Sequence, residues 1–251
     1  MQKDTVRQVV VIVAVVVTIV VNTLANALPL NGQTTGEISD RFDIYFVPAG
    51  YVFSIWGLIY LGLAAFAVFQ ALPSQRENPR LRRTGYLFVL SCIANSAWIF
   101  FWHYELFPLT VVAMLVLLVT LIAIYLMLGT GRTSAPPLER WLVRVPFSLY
   151  LGWITVATIA NVTQFLAYIG WHGWGLSEEF WAVVMFAVAT VVAGAVSLMR
   201  RDIAYMLVII WAFIGIALKH AAVPLVAAAA WVATGANAAL LVVGALHRPR
   251  R

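Results

Sequence analysis

The sequence predicts an all-α integral membrane protein of about eight transmembrane helices, and three observations carry that expectation. Of the 251 residues, 63% are hydrophobic and only 10% charged, against about 25% charged in an ordinary soluble domain; the mean hydropathy is +0.93. The apolar residues fall into eight long runs, and the charges alternate in sign from one connection to the next. So little polar surface cannot cover a globule of this size, which excludes a soluble fold.

A helix crossing the hydrocarbon core, about 30 Å thick, needs about 20 mostly apolar residues at about 1.5 Å each. The first run, Gln8 to Leu28, is preceded by Lys3 and Arg7 and ends in Ala25-Asn26-Ala27, the pattern of a cleaved leader. Its apolar stretch reaches spanning length, so it reads as a first span. Pro48 to Leu72, Arg83 to Trp102, Pro108 to Gly129, Trp141 to Ile169 and Glu179 to Met199 follow. Ile203 to Leu218 is the shortest, and Pro224 to Leu246 is the last. Pro48, Pro108 and Pro224 each open a run, where a missing backbone N–H costs nothing.

The connections on the cytoplasmic side of a membrane protein hold the excess of Lys and Arg. With the N-terminus inside, fourteen of the sixteen basic residues fall on that side, from Lys3 and Arg7 through Arg76, Arg80, Arg82, Arg83, Arg132, Arg140, Arg144, Arg200 and Arg201 to Arg248, Arg250 and Arg251. Only Arg41 and Lys219 lie opposite, among six of the ten acids. A miscounted span would scramble this alternation. The expectation is a multi-pass protein of the cell (inner) membrane with both termini cytoplasmic. The net charge of +6 therefore concerns orientation in the lipid bilayer and not nucleic acid, whose recognition needs basic residues gathered on one soluble face.

No charged residue sits near the centre of any run, which argues against proton-coupled transport or ion pumping. No metal-binding, phosphate-loop or nucleophile motif is present, so no catalytic residue is assigned and no enzyme is indicated. Cys92 reads as a small core hydrophobe. His103, His172 and His220 fall at the outer ends of spans and His247 at the inner C-terminus, where solvated interfacial rings are expected; the metal-ligand assignment is none. Trp141, Trp171, Trp174 and Trp181 stand near span ends, as an interfacial aromatic belt does. Asn22 and Asn26, four residues apart on one helix face, read as hydrogen-bonding glue between helices.

Three segments carry more. Pro48-Ala49-Gly50-Tyr51-Val52-Phe53-Ser54-Ile55-Trp56-Gly57-Leu58-Ile59-Tyr60 opens the second span. Asn95-Ser96-Ala97-Trp98, with Phe100, Phe101 and Trp102, ends the third. Trp153, Ala157 and Asn161 form a row on one face of the fifth. In content and order these resemble the tryptophan-rich sensory protein family, the bacterial relatives of the mitochondrial translocator protein (TspO).

The resemblance covers roughly residues 8 to 170 and implies a five-helix TspO-like bundle (1–170) followed by three additional helices (171–251). It further implies a pocket for a porphyrin or another flat hydrophobic small molecule. Carried over by position, its ligand-binding residues are Trp56, Tyr60, Asn95, Trp98, Trp153, Ala157 and Asn161. The first external loop, Pro29 to Val47, is expected to act as a lid through Phe42, Tyr45 and Phe46; it is more polar than the Trp- and Pro-rich loop usual in the family. A receptor or transporter-like role follows, with a tetrapyrrole as ligand. A structural subunit of a homodimer or larger membrane complex, and an enzyme acting on a tetrapyrrole or lipid, are the alternatives.

Overall fold

The computed structural model describes residues 2–246. His247, Arg248, Arg250 and Arg251, placed above at the cytoplasmic end, lie outside the described residues. Eight long helices follow in order: α1 Gln2–Ala27, α2 Ile55–Ala71, α3 Pro79–His103, α4 Phe107–Met127, α5 Val145–Tyr168, α6 Glu178–Arg200, α7 Ile203–Lys219 and α8 Pro224–Leu246. Among the described residues there is no strand. Seven of the eight segments are long and apolar enough to cross a membrane, α2 together with the turn that leads into it (Gly50–Ala71, 22 residues), and α7, at 17 residues, is the shorter apolar helix. The protein is an all-α integral membrane protein whose helices contact the lipid bilayer.

Helix boundaries follow local chemistry. Pro79, Pro108 and Pro224 occupy first-turn positions. Asn78, Ser177 and Asp202 cap α3, α6 and α7 by accepting from the backbone N–H of Arg80, Phe180 and Tyr205. Arg201 turns left-handed at φ 55° to separate α6 from α7, a conformation a non-glycine residue adopts only as a single-residue break.

The first five helices close a ring: α1 packs on α2 and α3, α3 on α4, α4 on α5, and α5 back on α2. Phe66, Phe88 and Phe147 fill its middle with ring centroids 5.0 to 5.5 Å apart. The remaining three helices join through α7, which lies on α5 and on the turn that leads into α2, while α6 and α8 pack on α7 and on each other. One hydrophobic core runs through both parts, from Val11 and Phe88 to Phe213 and Ala230. Small residues allow the close approaches: a Cβ on Gly152 of α5 would meet the Tyr205 carbonyl oxygen at 3.1 Å, and one on Gly215 of α7 would meet Val52 Cγ2 at 2.2 Å.

The polar contacts sort onto two ends. At one, Arg82 pairs with Asp4 at 2.7 Å and Arg80 with Glu139 at 2.7 Å. Arg7, buried, donates to the Arg76 carbonyl at 2.9 Å. Arg144, also buried, donates to Glu139 and to the carbonyls of the connection before α5. At the other end Arg41 pairs with Glu105 at 2.9 Å and Lys219 with Asp40 at 2.7 Å. Residues from alternate connections thus meet at each end, as an antiparallel array of spans requires.

Two expectations are corrected. His103 is not a solvated interfacial histidine: it is fully buried, its Nδ1 lies 2.8 Å from the Ile99 carbonyl oxygen, and Asn31 of the first loop covers its own carbonyl. His220 is half-buried under the edge of Tyr45, ring centroids 5.4 Å apart. The loops fold back over these helix ends and exclude water there; His172 alone of the three is exposed.

Candidate functional site

Between α2, α3, α4 and α5, beneath the first loop, lies a narrow cavity of about 60 Å³. Its position follows from the helix faces. The W-x-x-x-A-x-x-x-N row of α5 places Trp153, Ala157 and Asn161 one turn apart on one stripe, and all three line it. Asn95 and Trp98 of α3 and Trp56 of α2 complete three of its walls, with Phe53 and Trp102 beside them. Met114 and Leu117 of α4 supply the fourth.

The indoles are ordered by each other. Trp56 meets Trp153 edge-on at 6.2 Å and Tyr150 at 5.9 Å, and Phe53 meets Trp153 at 5.5 Å. Trp98 and Trp102 stack at 4.8 Å. Tyr60 does not line the cavity; it stacks on Trp56 at 5.3 Å from the next turn of α2 and holds that indole in place. Such edge and stacked pairs each add about 0.5–1.5 kcal/mol beyond their buried area.

The polar side chains are almost all engaged. Trp98 Nε1 donates to Asn161 Oδ1 at 3.1 Å, and Asn161 Nδ2 donates to Thr110 Oγ1 at 2.8 Å. Asn95 Nδ2 donates to the Tyr150 hydroxyl at 2.8 Å while Asn95 Oδ1 accepts from Asn22 at 2.7 Å. Two lining groups stand apart: Trp153 Nε1 and Thr35 Oγ1 are buried with no hydrogen-bond partner. Unpartnered buried donors cost about 1–3 kcal/mol each, and a buried indole N–H ordinarily finds an acceptor. No charged side chain and no imidazole or thiol is among the lining residues, and Met114 supplies the one sulfur.

The lid residues lie elsewhere. Phe42 packs edge-on against Phe107 at 5.5 Å, and Phe46 is buried against Phe186 of α6 and Phe213 of α7. Tyr45 donates its hydroxyl to Glu179 at 3.3 Å. The roof is formed instead by Thr35 and Ser39 of the short helix Thr35–Ser39 and by Val47 and Pro48. That helix begins in a capping box, in which Thr34 Oγ1 accepts from the Glu37 N–H and the Glu37 carboxylate accepts from the Thr34 N–H. The Thr34 N–H and the Thr34 hydroxyl, both donating to the Glu37 carboxylate, hold its carboxyl below the usual carboxylate range. Trp102 Nε1 donates to the Thr35 carbonyl at 3.2 Å and ties the roof to α3.

A family model described as TSPO-like protein matches residues 8–243. The chain belongs to the TSPO-like family. The match runs on past residue 170 through α6 and α7 and into α8. No curated protein and no solved structure compared with the chain gives a match.

Within this TSPO-like chain, sequence reasoning overlooked Thr110, whose hydroxyl anchors Asn161, and Thr35, which sits in the roof. Thr110 follows Pro108 by two residues, so the residue types alone mark it only as part of a helix start. Among the described residues, no group of three or more His, Cys, Asp and Glu is placed to hold a metal ion.

Proposed function

We propose that this TSPO-like membrane protein binds a flat, largely apolar ligand between α2, α3, α4 and α5, the aromatic walls of the narrow cavity parting to admit it, with a tetrapyrrole such as a porphyrin as the best chemical match, and serves as its membrane receptor or carrier. The observation that carries the reading is the cavity-lining Trp153, whose indole N–H is buried without a partner inside a wall of aromatic rings. A conjugated ring with an acceptor at its edge meets both needs: faces to stack on and a lone pair for the free donor. The roof hydroxyl of Thr35 offers a second polar contact.

An uncharged lining places any carboxylate substituents of the ligand outside the cavity, at the first loop, because burying them unpaired is costly. The first-loop end also holds six of the ten acids, and the opposite end holds the buried and paired arginines. We infer from this that the cavity opens toward the outer face of the cell membrane and that the termini are cytoplasmic.

The test is protoporphyrin quenching of tryptophan fluorescence in detergent. Saturable quenching is expected for the wild type, with an affinity lowered about tenfold in Trp153→Phe, which keeps a smaller aromatic face and removes the N–H, and more in Trp153→Ala. Unsaturable quenching, or equal affinity in all three proteins, overturns the reading.

A further inference from the structure

A second cavity, of about 380 Å³, lies at the acidic end between the first loop, α5 and α6. Its walls include Tyr45 of the loop, Leu166 of α5, Trp171 of the following connection, and Trp181 and Met185 of α6. It is separate from the cavity above, with which it shares no lining residue, and it draws on both the five-helix ring and the three later helices.

Trp171, Trp174 and Trp181 form a mutual cluster with ring centroids 5.1 to 5.6 Å apart. The connection that carries Trp171 and Trp174 is tied to α6: Trp181 Nε1 donates to the Gly173 carbonyl at 2.9 Å, and a Cβ on Gly173 would stand 3.0 Å from that nitrogen. Trp174 adopts φ 54°, a left-handed conformation that a bulky side chain takes at a cost. The residue is 81% exposed beside the other two. The cluster is thus held in a fixed arrangement at the protein surface, with Trp174 at its outer edge.

The charges nearby identify what the rings are suited to hold. Glu178 lines the cavity and has no ion-pair partner among the described residues. Its neighbour Glu179 already accepts from Tyr45. The Lys and Arg of this end are paired with other acids, Lys219 with Asp40 and Arg41 with Glu105, and the exposed His172 also lines the cavity. Indole faces carry the negative part of the ring quadrupole and attract cations, most strongly quaternary ammonium groups. We propose that this cavity is a second ligand site that takes a lipophilic organic cation, its charged head between the Trp171 and Trp181 indoles and Glu178 and its apolar body along Leu166 and Met185. The chemistry fits a free amphiphilic ammonium compound and a quaternary ammonium lipid headgroup alike. It does not rest on the tetrapyrrole reading of the first cavity.

The test is calorimetric titration of the full chain in a neutral maltoside detergent with benzyltrimethylammonium and with its uncharged isostere neopentylbenzene. The wild type is expected to bind the cation about tenfold more tightly than the isostere. Glu178→Gln should weaken the cation about tenfold and leave the isostere unchanged, and Trp171→Leu should also weaken the cation. Trp153→Phe, in the first cavity, should leave cation binding as in the wild type. Short-chain phosphatidylcholine and phosphatidylglycerol separate the sources: competition by the former alone assigns a lipid headgroup, and competition by neither assigns a free cation. Equal affinity for cation and isostere, wild-type cation affinity in Glu178→Gln, or loss of cation binding in Trp153→Phe overturns the proposal.

Discussion

Trp98 of α3 donates its indole N–H to Asn161 Oδ1 of α5 at 3.1 Å, and Asn161 passes the bond on to Thr110 of α4 at 2.8 Å. Three helices are joined by one side-chain amide at the edge of the cavity. The same contact removes Asn161 and Trp98 from the polar handles free to meet a ligand and leaves that role to Trp153 and Thr35.

Asn161→Leu should therefore lower stability more than Thr110→Val. The first removes both bonds and orphans the Trp98 N–H, while the Thr110 hydroxyl keeps its donation to the Phe107 carbonyl at 2.7 Å; the second leaves only one amide hydrogen unpaired. Losses of about 1–3 and about 0.5–1.5 kcal/mol are expected, read from thermal unfolding in detergent. Equal losses would mean that the Trp98 bond contributes nothing.

Asn22 and Asn95 are bonded at 2.7 Å between α1 and α3, with Tyr150 of α5 as the next member of the chain. A double-mutant cycle with Asn22→Ala and Asn95→Ala should show a coupling of about 0.6–2 kcal/mol, the range for hydrogen bonds between helices in a membrane. Additive effects would contradict the bond.

Much of this was legible in the sequence because helices in lipid obey few rules. Every backbone group must be satisfied within a span, so length and apolarity marked the eight helices, and the alternation of Arg-rich with acidic connections set their order. The row from Trp153 to Asn161 was legible because a four-residue repeat fixes a helix face. The roof was not legible. Which loop aromatics cover a cavity depends on how the chain turns between Thr34 and Pro48, and Phe46 leaves the cavity for the apolar seam between α6 and α7, helices more than a hundred residues away. Likewise nothing in residue type marks His103 as buried or Arg7 and Arg144 as buried donors to loop carbonyls; those follow from tertiary contacts alone.

Gly215→Ala should disturb the join between the three later helices and the ring. Its Cβ would fall 2.2 Å from Val52 Cγ2, where Ala49 N–H also donates to the Gly215 carbonyl at 3.2 Å. A loss of about 1–3 kcal/mol is expected for overpacking at a tight contact, with faster proteolysis in the connection between α5 and α6. Gly235→Ala, which meets open space, is the control and should be neutral. Equal behaviour of the two variants would count against the contact.

His220 should make the turn between α7 and α8 acid-sensitive. Burial, aided by the charge of Lys219, holds its pKa below the ordinary 6.5. The folded imidazole stays neutral while the unfolded one takes up a proton as pH falls below that value, so stability is lost from about pH 6.5 downward and levels off below the folded pKa. Thermal unfolding between pH 8 and 5 should fall more steeply in the wild type than in His220→Gln; parallel profiles would contradict this assignment.

The central claim is that Trp153 is the free handle of a ligand cavity. The chain has ten tryptophans, so indole-¹⁵N-labelled protein gives ten N–H resonances. On titration with protoporphyrin, the Trp153 indole N–H should move most and downfield, as a new hydrogen bond requires, with smaller ring-current shifts at Trp56 and Trp98 and none at Trp171, Trp174 and Trp181. A Trp153 resonance that stays fixed while the protein saturates, or shifts confined to the Trp171, Trp174 and Trp181 cluster, would contradict the account.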